Sequence, residues 1–303
     1  VLWGREAAHI EAMGKARCNA RYLPDAPFPP LLELTNDLRT AVTGADDVLV
    51  AVPSQALRGL LTALHGLPVR RLTWATKGFE LDTGLLPYQI AAQLLPASIP
   101  TAVLSGPTFA REVGAGLPTA LTIASADQDY AQRLAETISS DTFRPYTSSD
   151  VVGVEVGGAT KNVYAIGAGI CDGLGFGANT RIALIARGLA EMTRLGLALG
   201  GRKETFMGLA GMGDLVLTCT DDQSRNRRFG LALAHGASVA DALRSIGQVV
   251  EGFNGARAVQ RVAERHNVPM PIAEQLNKIL HEGADPRAAV LTLMRRPISS
   301  ELG

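Results

Sequence analysis

The chain has 303 residues, 47% of them hydrophobic and 19% charged, and its 29 basic and 29 acidic side chains give a formal net charge of zero. That length suggests two domains with real cores, and the charge balance gives no general attraction to nucleic acid or to a membrane surface, so any anionic ligand must be met by a local basic pocket. Cys18, Cys171 and Cys219 are far apart and fit neither a disulfide framework nor a zinc site, which points to a reducing compartment, and no apolar run reaches the length of a membrane span.

Val1–Trp3 reads as the tail of a strand ending at Gly4-Arg5, and 6–17 as a helix. Tyr22-Leu-Pro24 and Phe28-Pro-Pro30 read as extended or turn segments, and 38–44 as a short helix closed by a glycine. The run 47–53 is apolar and β-branched without alternation, which predicts a parallel strand buried on both faces. There follow a helix at 55–64, a strand at 71–78 ending in Lys77-Gly78, and a helix at 85–95. A strand at 101–108 runs into Gly106-Pro107-Thr108, and a strand at 119–124, a helix at 129–139 and a short strand at 143–146 complete the half.

This alternation predicts an α/β fold, a doubly wound, mostly parallel sheet with helices on both faces. Ligands of such sheets bind outside the carboxyl ends of the strands. Arg5, Pro53-Ser54, Lys77-Gly78 and Gly106-Pro107-Thr108 stand at those ends. A dinucleotide fold opens with a strand and Gly-x-Gly-x-x-Gly, a motif not found near the start. With Val1–Trp3 as the second strand, the first strand and its glycine-rich loop are expected upstream of Val1. An acidic residue after the second strand binds the ribose hydroxyls of NAD, whereas an arginine accommodates a 2′-phosphate. Arg5 follows that strand, so NADP(H) is expected to be accepted; an exposed turn arginine is the alternative.

From about residue 151 strand signals disappear. The segments 151–171, 180–199, 204–209, 214–219, 229–235, 238–246, 254–266, 271–282 and 285–294 read as helices, with Ser238 and Asp285-Pro286 as helix starts. The shift predicts a dinucleotide-binding domain over 1–150 and an all-helical substrate and catalytic domain over 151–303. On the first of these helices Lys161 shares a face with Gly157, Gly158, Ala165 and Ala168, opposite Val152, Val156, Val163, Ile166 and Ile170. The lysine thus stands on a side stripped of bulk, where a ligand or another backbone can approach. A surface lysine on a packed helix is the plainer alternative. Asp214 and Thr218, four apart, share a helix face beside Gly211-Met-Gly213, and the carboxylate is either the partner that orients a lysine or a helix N-cap. Ser224-Arg225-Asn226-Arg227-Arg228 collects three guanidiniums among hydroxyl and amide donors, which suits a phosphate. The alternative is a solvated basic turn paired with Asp221 and Asp222.

Together these motifs resemble those of the bacterial NAD(P)-dependent glycerol-3-phosphate dehydrogenase family. The matching stretches are Trp74-Ala-Thr-Lys77-Gly, Ser105-Gly-Pro-Thr108-Phe-Ala110, Gly157-Gly-Ala-Thr-Lys161-Asn162-Val, Arg187-Gly-Leu-Ala-Glu-Met192, Gly208-Leu-Ala-Gly-Met-Gly-Asp214-Leu, Thr218-Cys-Thr-Asp, Ser224-Arg-Asn-Arg-Arg-Phe-Gly230 and Val249-Val-Glu251-Gly252. They span nearly the whole chain; the glycine-rich opening is the departure. The resemblance implies a Rossmann-type first domain, an all-helical second one, and reversible reduction of dihydroxyacetone phosphate to sn-glycerol 3-phosphate with NADP or NAD as cofactor, feeding phospholipid synthesis in the cytoplasm. It implies Lys161 as the proton donor and acceptor, with Asp214 and Lys77 as its catalytic companions. It implies Lys77, Gly106, Thr108, Lys161, Asp214, Ser224, Arg225 and Asn226 as substrate contacts. Lys77, Ala110, Arg225, Val249 and Glu251 would lie by the cofactor, joined by Arg5 from the strand-end reading; taken alone, Val249 reads as core packing. The expected partner is a small phosphorylated substrate, with no nucleic acid and no integral membrane segment, and a homodimer is compatible with the sequence. Two readings compete: a related two-domain hydroxy-acid dehydrogenase, and a non-catalytic nucleotide-binding sensor. The Lys161/Asp214 pair argues against the second.

Overall fold

In the computed structural model, which describes residues 1–298 and 300, the first half alternates as read. Its elements are β1 (Leu2–Trp3), α1 (Ala7–Ala16), β2 (Cys18–Asn19), β3 (Leu23–Pro27), β4 (Leu34–Thr35), α2 (Leu38–Val42), β5 (Val48–Val50), α3 (Ser54–Leu64), β6 (Leu72–Trp74), α4 (Pro87–Leu94), β7 (Thr101–Ser105), α5 (Ala110–Gly114), β8 (Thr119–Ala124), α6 (Gln128–Ile138) and β9 (Phe143–Ser148). The second half is helical: α7 (Val151–Gly173), α8 (Gly177–Ala198), α9 (Lys203–Phe206), a π-helical turn at Leu209–Gly213, α10 (Asp214–Thr220), α11 (Arg225–Ala234), α12 (Val239–Ile246), α13 (Glu251–Arg265), α14 (Pro271–Glu282) and α15 (Pro286–Met294). Of the helical domain expected to run to 303, residues 299 and 301–303 lie outside the described residues.

The larger sheet has the order β5-β6-β7-β8-β9 and is parallel except where β7 meets β8. β1 and β4 form a separate parallel pair, and β2 and β3 an antiparallel one. The fold class is the expected one, a mostly parallel sheet with helices followed by a helical part. The elements β2, β4 and α5 have no counterpart in the sequence reading, because segments this short carry no hydrophobic period. β5 corrects the expectation of a strand buried on both faces. Leu49 is 60% exposed while its neighbour Val50 is buried. Among the described residues β5 is an edge strand of its sheet, pairing with β6 alone, and its Leu49 face is left open.

On the sheet, α6 lays Tyr130, Ala131, Leu134 and Ala135 over Ala102, Leu104, Leu121 and Ile123. Those four helix positions form one apolar stripe at helical spacing, and Asp127 starts the helix by accepting the Tyr130 N–H at 2.9 Å. By compactness the chain separates into a sheet unit, Val1–Lys77 with Pro87–Val151, and a helical unit, Gly78–Leu86 with Val152–Gly303. The segment Gly78–Leu86 is held within the helical unit by α13. Arg261 Nη1 donates to the Leu81 and Asp82 carbonyls at 2.7 and 3.0 Å, and Arg265 Nη1 to the Thr83 carbonyl at 2.9 Å.

The helical unit is built on α7. Every residue from Gly153 to Cys171 is buried, so the helix has no solvent face. Glycines let other backbones reach it. A Cβ at Gly169 would lie 2.0 Å from the Arg227 carbonyl oxygen, and one at Gly230 would lie 2.1 Å from that of Ile166. Thus α7 and α11 touch backbone to backbone, a contact that any larger residue on either side would prevent.

Beside α7, Glu191 of α8 is buried and starts α14. Its carboxylate accepts the Ile272 and Ala273 N–H groups at 2.7 and 3.1 Å and the Tyr164 hydroxyl at 3.2 Å. Two orphan donors of the α14 start are thereby satisfied. Burial pushes the Glu191 carboxyl from its ordinary 4.5 up to about 7, against the pull of those hydrogen bonds. A carboxyl whose folded-state value is raised binds its proton more tightly in the folded chain. Its contribution is therefore full below about pH 4.5 and is lost as pH rises through about 7. Glu191→Gln, neutral throughout, should remove a decline on the order of 3 kcal/mol between pH 4.5 and 8. Urea unfolding at several pH values checks this; an unchanged pH slope in the variant would contradict it.

Candidate active site

Lys161 sits midway along α7 and is 8% exposed. Its Nζ donates to Asp214 Oδ1 and, at 3.2 Å, to Thr218 Oγ1. Asp214 is 1% exposed and is the first residue of α10, whose N-cap position is held by Gly213. Its carboxylate is therefore the partner of a lysine and not a helix cap. The Thr218 hydroxyl donates to the Asp214 carbonyl oxygen at 2.5 Å, which leaves its lone pairs for the ammonium. An ion pair this dry is held by geometry, since removing either member takes a close opposite charge from the other.

What brings the two helices together is Gly157, one turn before the lysine. A Cβ there would lie 2.4 Å from the Ala210 carbonyl oxygen and 3.5 Å from Gly211 Cα. The glycine-lined side of Lys161 is thus met by the backbone of the π-helical turn. That turn delivers Asp214 directly onto α10, and such turns recur at functional sites.

The residue after Lys161 opens a polar relay. Asn162 Nδ2 donates to Glu251 Oε2 at 2.9 Å, and Asn162 Oδ1 accepts from Asn226 Nδ2 at 3.0 Å. Asn226 Oδ1 in turn accepts the Gly252 N–H at 2.9 Å. This links α7, α11 and the first turn of α13. The close approach needs Gly252, where a Cβ would lie 2.4 Å from the Asn162 carbonyl oxygen. One hydrogen bond therefore separates the neighbour of Lys161 from the neighbour of Arg225.

The stretch Ser224–Arg228, read from sequence as a basic turn, is the cap and first turn of α11. Ser224 is the N-cap and its Oγ accepts the Arg227 N–H at 3.2 Å. A helix sends successive side chains in different directions, so the three guanidiniums do not converge. Arg225 is half-buried and donates through Nη1 to Gln248 Oε1 at 3.4 Å. Arg227 turns inward to Asp172 and Asp222, and Arg228 is exposed. Of the three, Arg225 alone is half-buried. Val249, which precedes α13, is 44% exposed, so core packing does not account for it.

In the sheet unit, Lys77 follows β6 and Gly106 follows β7, neighbouring parallel strands. Lys77 Nζ and Thr108 Oγ1 each donate to the Gly106 carbonyl at 3.3 Å. Gly106 has φ +147°, and a Cβ there would lie 3.0 Å from Leu121 Cα, so a side chain has neither the conformation nor the room. Ala110 opens α5 and is exposed. Arg5 follows β1, is exposed, and lies 3.8 Å from the Glu6 carboxylate. The structure thus gathers Lys161, Asp214, Ser224, Arg225, Asn226 and Glu251 within the helical unit, and Lys77, Gly106 and Thr108 within the sheet unit. Sequence reasoning assigned no role to the Asn162 amide, to Gln248 or to Asp172. Adjacency to Lys161 was a usable signal for the first. The other two leave no pattern, their arginine partners being 23 and 55 residues away. Among the described residues, no group of three or more His, Cys, Asp or Glu is placed to hold a metal, and no helix is long and apolar enough to cross a membrane.

A buried ammonium held between a carboxylate and a hydroxyl can stabilise and protonate a developing oxyanion, and a guanidinium nearby in the same unit can hold a second anionic group. Comparison with known proteins identifies the family. The profile of the NAD-dependent glycerol-3-phosphate dehydrogenase N-terminus matches residues 1–131, and that of the C-terminus matches residues 150–291. Proteins called glycerol-3-phosphate dehydrogenase (NAD(P)+) from Shigella boydii serotype 18 and Escherichia coli K12 are each 52% identical over 304 aligned residues, covering 99% of this chain and 90% of theirs. The crystal structure of glycerol-3-phosphate dehydrogenase from Coxiella burnetii superposes with a TM-score of 0.94 at 44% identity, over 97% of this chain and 91% of that one. With both profiles matched across most of its length and relatives identical at half of their positions, the chain belongs to the NAD-dependent glycerol-3-phosphate dehydrogenase family.

Proposed function

We propose that this chain is an NAD(P)-dependent oxidoreductase that reversibly reduces dihydroxyacetone phosphate to sn-glycerol 3-phosphate in the cytoplasm, supplying glycerophospholipid synthesis. The observation that carries the reading is the buried Lys161–Asp214 pair, tied through Asn162 and Asn226 to the first turn of α11. The domain reading accompanies it: a dinucleotide-binding domain over 1–150 and a helical substrate and catalytic domain from 151 on.

The residues assigned to a nicotinamide dinucleotide, NADP or NAD, suit it by their chemistry. Lys77 offers an ammonium at the carboxyl end of a parallel strand, and Arg225 a half-buried guanidinium. Ala110 and Val249 are exposed, and Arg5 stands beyond β1 for a 2′-phosphate. Glu251 is the acidic member of the set. When bound, the cofactor supplies the hydride that reduces C2 of the substrate.

As C2 is reduced, negative charge grows on its oxygen. The Lys161 ammonium, held by Asp214 and Thr218 in a dry setting, stabilises that charge more than it stabilises the ground-state carbonyl. Nζ then gives its proton to the oxygen; in the oxidative direction the same amine takes the proton back. Arg225, with Ser224 and Asn226 beside it on α11, holds the substrate's phosphate. Binding there is remote from the reacting carbon and secures its orientation. Lys77, Gly106 and Thr108 complete the substrate contacts.

The direct test is the decay of NADPH absorbance on adding dihydroxyacetone phosphate; no decay would overturn the reading. Arg225→Ala should raise KM for that substrate by about 10- to 100-fold, the scale of a charge-assisted hydrogen bond. With NADPH saturating, turnover of phosphate-free dihydroxyacetone should be little changed by it. Equal losses on both substrates would remove the phosphate role from Arg225.

A further inference from the structure

We infer that Arg227 is a positioning residue for the phosphate end of the substrate: clamped by Asp172 and Asp222, it fixes the first turn of α11 and so aims Arg225. The inference rests on Arg225 being the phosphate anchor. Arg227 itself makes no ligand contact, because it is 9% exposed and its side chain is engaged. Its Nη2 donates to Asp172 Oδ2 at 2.7 Å, and its Nη1 donates to Asp222 Oδ1. Asp172 stands near the end of α7 and is gripped from the other side by Arg181 of α8, whose Nη1 donates to its two oxygens at 2.9 and 3.0 Å. Asp222 lies in the loop between α10 and α11. One guanidinium therefore ties together the helix that carries Lys161, the loop that follows the helix of Asp214, and the first turn that carries Arg225.

The backbone of Arg227 is fixed as firmly as its side chain. Its N–H is held by Ser224 Oγ at 3.2 Å, and its carbonyl oxygen lies against Gly169. Arg225 is two residues back on the same turn, so its Cα moves whenever Arg227 does. Stability alone does not explain this choice of residue. Buried ion pairs are commonly no more stabilising than apolar side chains of similar volume. Here the cluster also leaves Arg181 Nε and Arg227 Nε buried without a hydrogen-bond partner among the described residues. What a forked guanidinium offers over an apolar group is a fixed angle between two carboxylates. That angle sets register, and register is what a phosphate anchor requires.

The test compares Arg227→Lys with the unaltered enzyme on two substrates. A lysine keeps the charge but is a point donor that cannot bridge both carboxylates in one geometry. KM for dihydroxyacetone phosphate should rise about tenfold, the scale of a slight misplacement. With NADPH saturating, turnover at saturating substrate and kcat/KM for phosphate-free dihydroxyacetone should stay as they were. Parallel losses on both substrates would show a merely structural clamp, and no change in KM would show no clamp at all; either overturns the inference. Should Arg227→Lys fail to fold, Asp222→Asn decides, because Asp222 is an exposed loop residue whose loss leaves no buried cavity. It should raise the same KM about threefold, as befits a pair with one exposed member, and no rise overturns the inference. Arg225→Ala measured alongside separates the two levels. If it leaves KM unaffected, the phosphate reading fails and the inference falls with it. If it responds while the Arg227 and Asp222 variants do not, the clamp alone is wrong.

Discussion

Lys161→Ala is expected to lower kcat by at least ~100-fold, the scale of one acid–base group, while NADPH still binds. The ammonium is the group within the helical unit that can both meet a developing oxyanion and carry its proton. Asp214 and Thr218 hold it: the carboxylate accepts from it, and the Thr218 hydroxyl proton is already engaged with the Asp214 carbonyl oxygen. Stability must be separated from chemistry in this variant. Removing the lysine takes a close cation from Asp214, 1% exposed, which is expected to destabilise the fold by about 3–5 kcal/mol. A double variant, Lys161→Met with Asp214→Leu, fills the same space with apolar groups and should recover most of that stability without recovering turnover. Measuring kcat and urea midpoints for the single and double variants separates the two effects. Near-normal turnover in Lys161→Ala would take the proton-transfer role away from this residue.

The long, periodic elements were legible in the sequence, and the places where they failed to be have physical causes. β8 and α14 match their expected limits because turn or cap residues bound each of them clearly. The start of α11 was missed by four residues because its first turn is wholly polar and its N-cap Ser224 is followed at the third position by Arg227, where a glutamate or glutamine would have marked a capping box. The π-helical turn Leu209–Gly213 was invisible as such, since closely spaced glycines read as loop. At the site, residue types were readable and their company was not. A lysine on a glycine-rich face and a carboxylate beside a glycine run announced chemistry, and the family resemblance tied them together. That Arg227 would leave the presumed phosphate cluster depended on Asp172, a residue distant in the chain, so no local pattern could show it.

The glycines of α7 give the second large effect, and here two opposing forces can be weighed. Gly169→Ala replaces a poor helix former with the best one, a gain of about 1 kcal/mol where nothing else intervenes. At Gly169 something does intervene: the new Cβ would lie 2.0 Å from the Arg227 carbonyl oxygen and 2.9 Å from the Leu231 nitrogen. Both are backbone atoms on a packed helix and cannot swing aside. A carbon and a carbonyl oxygen rest about 3.3 Å apart even in a close contact, so α7 and α11 must separate by about 1 Å. Overpacking of that kind costs about 1–3 kcal/mol, which outweighs the propensity gain. Gly59→Ala supplies the control. Gly59 lies within α3, and a Cβ there would meet nothing within 4 Å, so that variant should be stabilised by about 0.5–1 kcal/mol. Opposite signs for the same substitution, read from urea midpoints, would isolate the helix contact as the cause. The activity should follow the geometry as well. Separating α7 from α11 moves Lys161 away from Arg225, and a misplacement of that size lowers kcat/KM for the phosphorylated substrate by about 100-fold. If Gly169→Ala proved as stable and as active as the unaltered chain, the backbone contact would not be what holds the ammonium and the guanidinium in register.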